Sequence, residues 1–262
     1  MTLLSPDFTN AHILITGAGS GIGRACATAL HGMGATLILV DRNQPVIEAV
    51  LVGQERVSRH VGDVADEFFW DDLSGHLSPL THALVNAGIA GAGSIEALPF
   101  DEWRRVMAVN LDGAFLTLRA AIRAMIARHA RDGRGGAIVS MASVSGMKAE
   151  AGTGAYAASK AGLIQLTKVA AKEGALHQIR VNAIAPGGVD TPMWDSMDGF
   201  NELVAAQGGD RDAAIAGMAA IGVPLGSYAK PDEMAAQVAF LLSKGAAHMT
   251  GAVLVADGGY SL

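Results

Sequence analysis

Tyr156 and Lys160 stand four positions apart in Tyr156-Ala157-Ala158-Ser159-Lys160, inside a stretch with helical character. At that spacing two side chains share one helix face and can reach a common ligand. A phenol has a reference pKa of about 10, too high for an effective base near neutrality. A neighbouring ammonium stabilises the phenolate, and bringing the value to neutrality takes roughly 4 kcal/mol of differential stabilisation. A partly desolvated site can supply that, whereas an open surface cannot. Taken alone, the pair reads equally well as a surface contact. Ser143, thirteen residues before Tyr156, could donate to a substrate oxygen as negative charge develops there. With Ser140 and Ser145 beside it, it is equally a turn serine.

A second constellation concerns phosphate. Thr16-Gly17-Ala18-Gly19-Ser20-Gly21-Ile22-Gly23 follows an apolar strand pattern and opens a helical one. Glycines there allow a tight turn, close approach to a pyrophosphate and close helix–sheet packing, and the helix N-terminus offers free N–H groups. The spacing is G-x-x-x-G-x-G rather than G-x-G-x-x-G, and in isolation it describes an ordinary strand-to-helix turn. Asp41 ends the next strand pattern, 18 positions after Gly23. A carboxylate at that place accepts hydrogen bonds from adenosine ribose hydroxyls and repels the extra phosphate of NADP, so NAD is favoured. Ser20 agrees, being no basic partner for such a phosphate, while Arg42 pulls the other way. The positive ring of an oxidised nicotinamide would add to the stabilisation of a Tyr156 phenolate. Asn86-Ala87-Gly88 also follows a strand, where it could be a simple turn.

These groups require a scaffold that presents loops at one end of a sheet. Short apolar runs at His12–Thr16, Thr36–Val40, Arg56–His60, Ala83–Asn86, Ala137–Met141, Arg180–Ile184 and Ala252–Val255 predict strands. Helical patterns fall near Gly21–Met33, Pro45–Leu51, Ala65–Leu73, Phe100–Arg128, Thr153–Gly174 and Pro231–Ser243. The alternation signals βαβ units, and strands apolar on both sides fit a sheet covered on both faces. Right-handed crossovers then give an α/β fold: one Rossmann-like domain over residues 1–262, a doubly wound parallel sheet of about seven strands with helices on both faces. The 262 residues, 50% hydrophobic and only 17% charged, with 33 glycines, suit such a buried sheet. Residues 190–228 break the alternation and are expected to form a substrate-pocket or lid insertion.

The ordered set closely resembles the short-chain dehydrogenase/reductase family across essentially the whole chain. The resemblance rests on Thr16-Gly17 with Gly21-Ile22-Gly23, Asp63-Val64, Asn86-Ala87-Gly88, Asn110, Ser143, Tyr156 with Lys160, and Asn182-Ala183-Ile184-Ala185-Pro186-Gly187 with Thr191. It implies that Gly17, Ser20, Gly21, Ile22 and Gly23 form the phosphate turn and that Asp41 selects NAD. Asp63 and Val64 would hold the adenine, and Asn86 and Gly88 would line the passage between adenosine and nicotinamide. Tyr156 would be the general acid or base, with Ser143 polarising the reacting oxygen. Lys160 would bind the nicotinamide ribose and lower the Tyr156 pKa. Asn110, at a helix kink, would anchor a water that relays protons from Lys160. Pro186, Gly187, Val189 and Thr191 would embrace the carboxamide. Val85 stands where the family often has a second asparagine, a minor departure. The three-residue gap between Tyr156 and Lys160 argues against enoyl-reductase relatives, whose pair is spaced more widely.

The activity implied is an NAD(H)-dependent oxidoreductase that interconverts a secondary alcohol and a ketone, its small-molecule substrate. Ser145, Met147, Gly188, Met193, Trp194 and Met197 are candidate substrate contacts, with an apolar pocket expected beneath the insertion. Alternatives are a noncatalytic NAD-binding or redox-sensing module, which would be expected to lose Tyr156 or Lys160, and a 3-oxoacyl thioester reductase within the family. No G-x-S-x-G elbow supports a serine hydrolase, and Ser145…Lys148 lacks the companion motifs of an S-x-x-K enzyme. The eight histidines form no i, i+4 pair, so no metal site is expected. A net charge of -6 disfavours a nucleic-acid partner. The single cysteine, Cys26, the missing leader pattern and the lack of a clean apolar span fit a cytoplasmic protein with no membrane association. A homotetramer, or a homodimer, is expected, with Thr153–Gly174 and Gly258-Gly259-Tyr260 as candidate interfaces.

Overall fold

Side chains alternate across a strand, so a strand apolar at every position needs cover on both sides. In the computed structural model, which describes residues 6–262, β1 (His12–Thr16) and β2 (Thr36–Asp41) show this directly. Ile13, Ile15, Leu37 and Leu39 enter one core with α1 (Gly21–Gly32) and α9 (Pro231–Leu242). Leu14, Ile38 and Val40 enter the other, with Trp70 of α3 (Glu67–Leu73), Leu118 of α5 (Gly113–Asp132) and Leu163 of α6 (Gly154–Ala175). With β3 (Val57–Val61), β4 (His82–Val85), β5 (Gly136–Met141), β6 (Ile179–Pro186) and β7 (Val253–Ala256) the sheet has seven strands, ordered β3-β2-β1-β4-β5-β6-β7. Every pairing is parallel. The chain reverses its direction of travel across the sheet between β1 and β4, the crevice where such folds bind ligands.

Local chemistry sets several boundaries differently from the sequence expectation. β3 begins at Val57 because Arg56 adopts a left-handed backbone (φ 63). Asn43 and Asp66 cap α2 (Gln44–Glu48) and α3 by accepting from the amides of Val46 and Phe68, which fixes where those helices start. β6 continues two residues beyond Ile184, to Pro186. The helix expected over Phe100–Arg128 is broken: α4 (Phe100–Met107) passes into a π-turn at Ala108–Asp112 before α5 begins.

Residues 190–228 leave the sheet after Val189 and return at Ala229, where the two form a parallel bridge. Between them α7 (Asp198–Ala206) and α8 (Arg211–Gly222) close around Phe200, Ala214 and Ile215, a small core separate from the two main ones. The Arg211 guanidinium ties this unit down, reaching Asp190 and Asp195 at 2.7 Å each, while Lys230 meets the other Asp190 oxygen at 2.7 Å. Cys26 is fully buried in α1, and burial pushes its thiol up to about 12. Among the described residues no helix is long and apolar enough to cross a membrane.

Candidate active site

The carboxyl ends of the strands open into one cleft of about 640 Å³. Its floor begins at the glycine turn. Gly17 and Gly21 have left-handed backbones (φ +64 and +49), and a Cβ on Gly17 would lie 2.9 Å from Ala87 Cα. A Cβ on Gly23 would lie 2.1 Å from the Gly17 carbonyl oxygen, so only glycine lets α1 sit so close to the turn. Ser20 occupies the N-cap without capping the helix through its side chain, so the first amides of α1 are left open to a ligand. The turn is held by Asn86, whose Nδ2 donates to the carbonyls of Thr16 (3.0 Å) and Gly17 (3.3 Å). Thr16 Oγ1 in turn accepts from the amides of Asn86 and Ala87 at 3.0 and 3.2 Å. Asn86 therefore leaves the strand in which the sequence pattern placed it and acts as a pin.

Asp41 lines this floor as well. Its carboxylate accepts from the amides of Gly19 and Asn43, at 3.0 Å each, and still lines the cleft beside Arg42, Asp63 and Val64. A carboxylate so fixed keeps lone pairs for ribose hydroxyls. The uncapped helix start, the turn that no side chain fits and this oriented carboxylate together suit a dinucleotide.

At the other end, Tyr156 projects from the first turns of α6 and Ser143 from the loop after β5, and both side chains line the cleft. Ser143 Oγ accepts from the Ser145 amide at 3.2 Å. Lys160 lies one turn beyond Tyr156, its Nζ 5.6 Å from the phenol ring centre and donating to the Met141 carbonyl at 2.8 Å. Burial pushes the Lys160 ammonium down to about 8 and raises the Tyr156 phenol, with the neighbouring Ser143 hydroxyl opposing that rise. The expected lowering of the phenol by Lys160 is thus not produced by the protein alone.

Asn110 sits in the π-turn, fully buried, with Oδ1 accepting from the Ile89 amide (2.8 Å) and Nδ2 donating to the Ile89 carbonyl (3.0 Å). Nδ2 also approaches Ser159 Oγ at 3.3 Å. A Cβ on Gly88 would stand 3.4 Å from both Asn110 Oδ1 and Lys160 Nζ, so these groups surround one point behind the cleft wall.

Gly17, Ser20, Gly21, Ile22, Asp41, Asp63, Val64, Asn86, Gly88, Ser143, Tyr156, Lys160, Pro186, Gly187, Val189 and Thr191 all line the cleft. So do Ser145, Gly188, Met193, Trp194 and Met197 among the substrate candidates. Gly23 and Asn110 support the wall from behind. Met147 lies apart from the lining and is 56% exposed. Among the lining residues that the sequence reading left out of the site are Tyr228, Glu150 and Tyr260, the last of which it assigned to an interface. Tyr228 stacks flat on Trp194, ring centres 5.5 Å apart and planes 7° apart. Glu150 and Tyr260 line the mouth. Their only sequence signal is polarity or aromaticity at the edges of loops already assigned to the site.

A family model described as enoyl-(acyl carrier protein) reductase matches residues 17–261. The chain is 38% identical to a galactitol 2-dehydrogenase (L-tagatose-forming) of Cereibacter sphaeroides, over 95% of this chain and 94% of that protein. It is 33% identical to an NADP-dependent (R)-specific alcohol dehydrogenase of Lentilactobacillus kefiri, with 95% of each covered. The crystal structure of levodione reductase superposes with a TM-score of 0.86 at 33% identity, covering 97% of this chain and 98% of that one. The chain belongs to the short-chain dehydrogenase/reductase family, oxidoreductases that use a nicotinamide cofactor.

Proposed function

We propose that this protein interconverts a secondary alcohol and its ketone with NAD(H), and that Tyr156 moves the proton. The observation that carries the reading is that Ser143, Tyr156 and Lys160 line the same cleft as the glycine turn and Asp41. Bound nicotinamide supplies or accepts the hydride. Ser143 holds the substrate oxygen, and Tyr156 gives it a proton in reduction or takes one in oxidation. Lys160 and Asn110 lie together about Gly88, where Asn110 would anchor a water that relays protons from Lys160. Asp41 supports NAD over NADP, since its charge opposes a ribose phosphate. The curated relative from Lentilactobacillus kefiri is NADP-dependent, so the residue at 41 and not membership in the family carries this choice.

The same reading places the protein in the cytoplasm as a homotetramer. Val169 on α6, Phe240 on α9 and Val255 on the edge strand β7 are exposed apolar groups that suit subunit contacts. The test is NADH formation from NAD and a panel of secondary alcohols. Tyr156→Phe is expected to lower kcat by about a hundredfold or more while NADH still binds. Full activity in that variant would remove Tyr156 from the chemistry.

A further inference from the structure

Beyond the nicotinamide position the cleft has an uneven charge. Glu150 is exposed at its mouth, and the ion pairs among the described residues leave it out. Its backbone is nonetheless fixed. The Thr153 amide and hydroxyl donate to the Glu150 carbonyl at 3.3 and 2.8 Å, and the Gly93 amide donates to the Gly152 carbonyl at 2.8 Å. The nearby cation, Lys148, is turned away, donating to the Tyr260 carbonyl at 2.6 Å with its Nζ 4.1 Å from that ring centre. Opposite stands an aromatic wall, Tyr228 stacked on Trp194. A Cβ on Gly188 would lie 2.4 Å from the Tyr228 ring, so the ring lies directly on bare backbone. The Trp194 indole N–H donates to the Val189 carbonyl at 2.8 Å, which fixes the wall's orientation. Burial and the Glu150 carboxylate together keep the Tyr228 phenol protonated.

We propose that the substrate is a neutral polyol, its carbon skeleton against the Trp194–Tyr228 wall and a non-reacting hydroxyl donating to Glu150. The inference rests on the alcohol–ketone reading of the site. Aromatic faces take the C–H surface of a polyol, and a carboxylate without a protein partner accepts from a hydroxyl. A carboxylate, sulfonate or phosphate on the substrate would be repelled by the Glu150 carboxylate, with the Lys148 ammonium turned to the Tyr260 carbonyl.

The test compares kcat/KM for cyclohexanol, the cyclohexane-1,2-, -1,3- and -1,4-diols, an open-chain hexitol and 4-hydroxycyclohexanecarboxylate. At least one polyol is expected to exceed cyclohexanol by about tenfold or more, mainly through KM, as a hydrogen bond to a charged group allows. Glu150→Ala should bring that ratio close to one, and Glu150→Gln, which keeps an acceptor oxygen, should hold part of it. NADH titration reports that each variant is folded. Preference for cyclohexanol or the carboxylate in the wild type, or a ratio unmoved by Glu150→Ala, overturns the polyol assignment alone. Absence of turnover on every alcohol overturns the alcohol–ketone reading and this inference together.

Discussion

Lys160 is the residue whose environment conflicts most with its charge. The unfolded chain keeps its proton to about 10.5 and the folded chain only to about 8. Unfolding in that window therefore takes up a proton, and rising pH favours the folded state. Urea denaturation at pH 8 and pH 10 should show the wild type gaining stability relative to Lys160→Met, whose side chain does not titrate. Equal pH dependence in the two proteins would show that Lys160 is not held against its ordinary protonation. Asp41 has two tasks, since it accepts from the Gly19 amide as well as facing the cleft. Asp41→Ala should move the NADP/NAD ratio of kcat/KM towards NADP by about tenfold or more, the effect of removing one charge repulsion. It should also weaken binding of both dinucleotides by loosening the turn. The type and spacing of these residues were legible because each chemical demand — phosphate turn, ribose carboxylate, phenol with ammonium — selects a residue type at a fixed distance along the chain. The protonation of Tyr156 was not. It depends on burial and on the neighbouring Ser143 hydroxyl, which follow from packing.

At the scale of elements, the π-turn at Ala108–Asp112 is the feature that pattern reading passes over. A single widened turn leaves the apolar spacing on either side intact, so Phe100–Arg128 reads as one helix. The only local hint is an asparagine within an apolar run, Ala108-Val109-Asn110-Leu111. The widened turn lets Asn110 bond both polar groups of Ile89 instead of competing for helix carbonyls. Asn110→Ala would leave those part-buried groups without their side-chain partner. It is expected to cost about 1–3 kcal/mol in urea denaturation and to lower kcat as the loop under Gly88 shifts. The doubly wound parallel sheet was legible because the βαβ alternation leaves few arrangements. The two helices of residues 190–228 were not. Their apolar residues close a small core of their own rather than facing the sheet.

For the molecule as a whole, one end of the sheet carries the chemistry and the outer edge remains open. Among the described residues β7 pairs only with β6, and an unpaired sheet edge is commonly covered. Sedimentation equilibrium should return the mass of four chains, and Val255→Asp on that edge should shift the population towards smaller species. A monomer at micromolar concentration would mean the edge is left uncovered.

The parallel bridge between Val189 and Ala229 has a wider meaning. It brings the two ends of the α7–α8 unit together before any of that unit is counted, and the ring-closure entropy of a longer or shorter replacement changes only slowly with its length. The sheet therefore works as a socket. Different caps can be fitted over a fixed hydride-transfer floor, and a new specificity can be grafted there without redesigning the machinery beneath.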